Sequence, residues 1–163
     1  MVDEWNKLDT QTLTGTNDNI TTGTIVEKKF IQIISNVVNA VDSIDYQQRF
    51  GTGTIDTGNN YTRSQSINGG AESTSINRSN IDSSVDSATP QIMISYAINV
   101  SGYEHLVITN FVSGANSGAG SAPARSQTVG KWVTTTQFDI TEVYNSQAGD
   151  FNTDSNLTVF GTD

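Results

Sequence analysis

A chain of 163 residues suits one domain, and at that length roughly two thirds of the unfolded surface can be buried, so a self-sufficient core is within reach. Eight Lys and Arg against 17 Asp and Glu give a net charge of −9 and a pI near 4.3. This excludes the broad basic footprint of a nucleic-acid binder and argues against docking on an anionic membrane. Cysteine is absent, which excludes disulfide frameworks, zinc–thiolate sites and thiol nucleophiles.

Hydrophobic residues make up 34% and charged residues 15%, with Ser, Thr, Asn, Gln and Gly filling the difference. Disorder usually couples low hydrophobicity to high charge; here the charge is low and β-branched residues are plentiful, so strands are expected. The opening MVDEWNKLDT has neither a basic nor an apolar signal region. No apolar run is long enough for a membrane helix. The expectation is a protein made in a host cytoplasm without an export signal, although a domain cut from a longer precursor would look the same.

In chain order, strands are predicted at 10–14 and 29–38. Phe30, Ile33, Ile34, Val37, Val38 and Val41 also fit helical spacing, but β-branched residues predominate and no helix cap is clear. Strands follow at 46–50 and 60–67, with polar loops at 51–60 and 65–88. The clearest alternation is 91–100. There Ile92, Ile94, Tyr96, Ile98 and Val100 share one face, predicted to be buried, and Met93, Ser95, Ala97 and Asn99 share the other. Ser101-Gly102 reads as a turn into 104–112, which is apolar on both faces and therefore central. After the loop SGANSGAGS at 113–121 come strands at 130–135, 138–144 and 156–160. Pro90 and Pro123 fall at strand boundaries. Eight or nine short strands with polar loops imply a single all-β domain over 1–163, a two-sheet antiparallel sandwich, jelly-roll-like in topology.

Little in the chain announces chemistry. His105 is the sole histidine, and no Gly-x-Ser-x-Gly elbow accompanies it, so a structural role is expected. No flanking pattern singles out a carboxylate pair for glycoside hydrolysis. Asp150, Asn152 and Asp154 have the alternate-residue spacing that opens calcium loops, but the central glycine and closing glutamate are missing, and turn chemistry is the preferred reading. Phosphate-binding glycine motifs are absent, so no cofactor is expected. Trp5, Tyr61 and Trp132 lie in polar surroundings, where an aromatic either closes the core or meets a partner. Together with Arg125, a scarce cation able to clamp a carboxylate, they are the candidate contact residues.

Several segments resemble a family of small uncharacterised structural proteins of tailed phages and environmental viruses. They are Trp5…Leu8…Thr12-Leu13-Thr14 with Glu27-Lys28-Lys29-Phe30-Ile31-Gln32-Ile33, then Arg49-Phe50-Gly51…Thr57-Gly58-Asn59-Asn60-Tyr61 and Asn68-Gly69-Gly70-Ala71. Towards the C-terminus they are Gly118-Ala119-Gly120-Ser121-Ala122-Pro123-Ala124-Arg125, Val129-Gly130-Lys131-Trp132, and Asp154-Ser155-Asn156-Leu157-Thr158-Val159-Phe160-Gly161. These are turns and strand ends spread over nearly the whole chain. One departure is that the family pattern places Asn between phenylalanine and glycine, whereas Phe50 here precedes Gly51 directly. The resemblance implies a virion component and carries no catalytic residues.

The expected function is therefore non-enzymatic: a capsid decoration or cement subunit, or a tail-associated one, assembling with other virion proteins and with copies of itself, a trimer being one arrangement. The alternative is a carbohydrate- or receptor-binding module presenting the same aromatics and the loops 51–60 and 65–88 to a glycan. A small glycan-active enzyme using two carboxylates is a third reading.

Overall fold

A computed structural model describes residues 4–38, 45–82, 90–114, 118–147 and 149–163. In chain order the strands are β1 (Asn6–Thr12), β2 (Asn19–Thr21), β3 (Phe30–Val37), β4 (Tyr46–Thr52), β5 (Thr54–Ile55), β6 (Tyr61–Ile67) and β7 (Ser73–Arg78). They continue with β8 (Ile81–Asp82), β9 (Gln91–Ile98), β10 (His105–Ser113), β11 (Ala124–Trp132), β12 (Ile140–Asn145) and β13 (Asn156–Thr162). Among the described residues there is no helix. The ambiguous stretch after 29 is a strand through Val37, and Val41 lies outside the described residues.

Two antiparallel sheets face each other. The larger runs β1-β13-β3-β9-β10-β11-β6-β7; the smaller runs β2-β12-β4, its edge extended by the two-residue strands β5 and β8, both against β4. The first strand pairs with the last, the second with the twelfth and the third with the ninth. The two ends of the chain thus nest against each other, in the expected two-sheet antiparallel sandwich, and β10, β11, β6 and β7 widen the large sheet.

The strand count corrects the expectation of eight or nine: eleven strands have three or more residues. The additions are β2, three residues where no strand was predicted, and β7, within the predicted polar loop 65–88. β7 has the sequence STSINR and lies at the sheet edge, exposed along most of its length, so no apolar alternation marks it. β11 also begins six residues earlier than its predicted start at Gly130, because its first half buries Ala124, Ser126 and Thr128 rather than large apolar groups. The Ser101-Gly102 turn forms as expected, with Gly102 at φ +85°.

The core between the sheets holds two aromatic groups. Trp132 packs with Phe50, Tyr61, His105 and Phe138, its ring 5.2 Å from His105 and 6.2 Å from Phe50. Tyr46 meets Phe111 and Phe151 edge-on at 6.0 and 5.8 Å. Between them the interior is laced with short polar side chains. Ser95 on β9 donates to Gln48 Oε1 across the sandwich at 2.9 Å and lies 2.9 Å from Thr109 Oγ1 on β10. Ser35 meets the Tyr46 hydroxyl. The Ser95–Gln48 and Ser35–Tyr46 contacts link the two sheets and Ser95–Thr109 links β9 to β10, so these hydroxyls are buried with partners.

Candidate functional site

Residues on strand β9 face the opposite way from the prediction. Met93, Ser95 and Ala97 point into the core, and Ile92, Tyr96 and Ile98 point out to solvent, with Ile94 half-buried on the same outer side. Period-two burial holds, but the isoleucine side is the outside. The reason lies in the partners. Ser95 meets Gln48 and Thr109, and the neighbouring strands bring Val107 and Phe111 inward, so small or hydrogen-bonded side chains are what fit there. Asn99, next along, is also internal: it donates to the Lys28 and Phe138 carbonyls and accepts from Phe138 N.

The strand registers turn this into a surface. Phe30, Ile98, Leu106 and Lys131 form one row across β3, β9, β10 and β11; Gln32, Tyr96, Ile108 and Val129 form the next. Ile34, Ile94, Asn110 and Gln127 make the third row, and Asn36, Ile92, Val112 and Arg125 the fourth. The centre is apolar and the margin polar, which is the anatomy of a protein interface. Leu106 is 53% exposed, Ile108 57% and Tyr96 47%. A shallow trough of about 430 Å³ lies over the first two rows, and Trp5, itself 47% exposed, forms part of its wall beside Phe30 and Tyr96. Inside the face, Gln32 donates to the Tyr96 hydroxyl at 2.8 Å.

None of the sixteen outward positions of these four strands is Asp or Glu, in a chain with 17 such residues. Among the described residues, carboxylates stand at the rim of this face. Glu104 pairs with Lys131 at 2.8 Å, and Glu72 is hydrogen-bonded by Ser64.

Of the four candidate contact residues, the structure brings Trp5 and Arg125 to this face and places the other two in the interior. Tyr61 is fully buried; its hydroxyl accepts from Phe50 N at 3.0 Å and donates to the Phe50 carbonyl at 2.9 Å. Trp132 is buried as well and donates from Nε1 to Asp56 Oδ2 at 2.8 Å. Both aromatics complete the core, so they offer no stacking surface to a sugar. Arg125 is exposed at the corner of the fourth row, its backbone N–H bonded to Asn68 Oδ1 at 2.9 Å.

Asp56 organises its loop. Partial burial works to raise its pKa, but hydrogen bonds from Trp132, Asn60 and Gly58 N, with the Arg49 charge, outweigh it and hold the carboxyl below the ordinary range. The 51–60 connection is thus a structured turn, not a free loop. Gly51 is required in it, since a Cβ there would lie 1.9 Å from the Thr54 carbonyl oxygen.

His105 is buried, and its ring nitrogens face the carbonyls of Ile98 and Thr136 at 3.3 and 2.8 Å, not a hydroxyl or carboxylate. The segment carrying Asp150, Asn152 and Asp154 forms a turn: Asn152 Oδ1 accepts from Thr153 N, Ser155 N donates to the Asn152 carbonyl, and Asp154 takes φ +71°. Among the described residues no group of three or more His, Asp or Glu is placed to hold a metal. Of the two loops offered for glycan binding, 65–88 contains β7 and β8, and residues 83–88 lie outside the described residues, as do 115–117 of the 113–121 loop.

The exposed face itself escaped the sequence reading. Its signal was present in β9 and β10, where seven of the eight outward positions are apolar, but the pattern of a strand does not say which side the second sheet covers. Compared with protein-family models, with curated proteins and with solved structures, the chain matches none.

Proposed function

We propose that the protein is a non-enzymatic assembly subunit that packs into a larger particle through the outer face of its large sheet, and that this particle is a virion, where the chain serves as a decoration, cement or tail-associated component. One observation carries the reading: a contiguous apolar face, free of carboxylates, on a chain that is otherwise strongly acidic. Soluble monomers rarely leave apolar patches larger than a few hundred Å² uncovered. The virion setting is supported by the sequence resemblance and by a polar, acidic, cysteine-free composition suited to display in many copies.

The test is made on particles from the natural source. Mass spectrometry of purified particles is expected to find the chain in stoichiometric amount, and an Ile108→Lys variant, soluble and folded, is expected to be lost from them. A chain absent from the particles defeats the virion setting. A variant that incorporates as well as the parent defeats the role of the face.

A further inference from the structure

We infer that the partner covering this face is a second copy of the same chain, packed sheet on sheet about a two-fold axis. The inference rests on the assembly reading above and adds the occupant.

Area is the first support. The exposed apolar side chains of the face, nine from Trp5 to Val129, each leave roughly 100 Å² open, on the order of 900 Å² together. A stable interface of standard size takes about 800 Å² from each partner. The face of one copy is therefore large enough to form a dimer with its own likeness and needs no further surface.

Charge is the second support. Each copy carries −9, so most ways of bringing two copies together oppose carboxylates. The sixteen outward positions of β3, β9, β10 and β11 do not: their only charges are Arg125 and Lys131, and Lys131 is already neutralised by Glu104. A partner of opposite charge would be expected to meet an acidic surface on this chain. The surface actually left apolar is the one where two acidic copies repel least.

Shape is the third. A closed ring of three needs two different complementary patches on each subunit, whereas a two-fold pair uses one patch twice. The apolar centre is a single continuous surface on neighbouring strands. Two such faces would stack about 10 Å apart, like the two sheets of an ordinary sandwich, with β9 and β10 of each copy at the middle. Because the driving force is apolar and the long-range force is repulsive, the pair tightens as salt rises, the reverse of an association driven by opposite charges.

Sedimentation velocity on the full chain tests this. The expected result is a species of twice 17.5 kDa that holds together better in high salt. Leu106→Lys is expected to convert it to monomer with an unchanged circular-dichroism spectrum, while Val26→Lys, at an exposed apolar residue outside the four strands, leaves the dimer intact. If the lysine variant fails to fold, Ile108→Thr gives a milder version, expected to weaken association at least tenfold. Trp5 supplies a second readout, because the chain has two tryptophans and Trp132 is buried. On dilution Trp5 emission is expected to shift to the red as the face opens to water, and not to shift in the Leu106→Lys protein. A wild-type monomer at roughly 100 µM, where a dimer with micromolar Kd would be nearly complete, overturns the inference. So does a trimer, or a dimer that survives both substitutions on the face. The assembly reading is judged separately by incorporation into particles: a monomer whose Ile108→Lys variant still leaves the particle keeps that reading and gives the face to a different protein.

Discussion

Asp56, Trp132 and Tyr61 fix one end of the sandwich through hydrogen bonds that a single substitution can remove. Asp56→Ala deletes the acceptor of the buried Trp132 N–H and the anchor of the Gly58–Asn60 turn. The cost is expected at about 2 kcal/mol, read as a lower urea midpoint followed by tryptophan fluorescence. The Asp56 pKa is depressed on folding from 3.8, so its contribution is complete above that value and fades as pH falls through the lower, folded one. The difference between wild type and Asp56→Asn should accordingly shrink below about pH 4. Burial acts in the other direction on the phenols: it pushes the hydroxyls of Tyr46 and Tyr61 well above their ordinary value of 10.0. Their neutral forms stabilise the fold below that pH, and stability is expected to fall as pH rises from there, with Tyr61→Phe flattening the alkaline loss while costing about 1–3 kcal/mol at neutral pH. At this scale the sequence was half legible. The tryptophans and Tyr61 stood out, but whether each met the core or a partner depended on an aspartate that is far from Trp132 in the chain.

Among the elements, β9 offers the sharpest contrast. Met93→Lys places a charge in the packed interior beside paired polar groups, and the chain is expected not to fold. Ile98→Lys, on the same strand but the outer face, is expected to keep the circular-dichroism spectrum and the Tm within a few degrees. Equal loss of structure in both would mean that the two faces have been assigned wrongly. Gly130 on β11 tests the closure of the sandwich over the added strands. A Cβ there would come within 2.6 Å of Ile81 Cδ1 on β8, so Gly130→Ala should cost about 1–3 kcal/mol. Ile81→Ala opens the same space, and the double variant should recover part of the Gly130→Ala loss in a thermodynamic cycle. Strands with large apolar alternation, β3, β9, β10 and β13, were readable in advance because each carries its own burial signal. β7 and the first half of β11 were not: their places are set by hydrogen bonds to neighbours, and their side chains are those of a loop.

For the whole molecule, charge and the uncovered face act together. At neutral pH the −9 net charge makes copies repel one another, and the repulsion is weakest where the carboxylate-free face is presented. Near pH 4.3 that protection vanishes while the apolar surface remains, so turbidity is expected to peak there. Leu106→Lys should reduce the peak by removing apolar surface and moving the pI upward; an unchanged peak would dissociate precipitation from the face. By itself the sequence determined the all-β class, the absence of thiol chemistry, the acidic charge and the period of burial along the main strands, because each of these is local or additive along the chain. Only the tertiary structure decided which side of the period lies inside. That choice depends on what stands opposite: Gln48 reaches Ser95 across the sandwich, Ile81 fills the space over Gly130, and nothing among the described residues covers the isoleucines of β9.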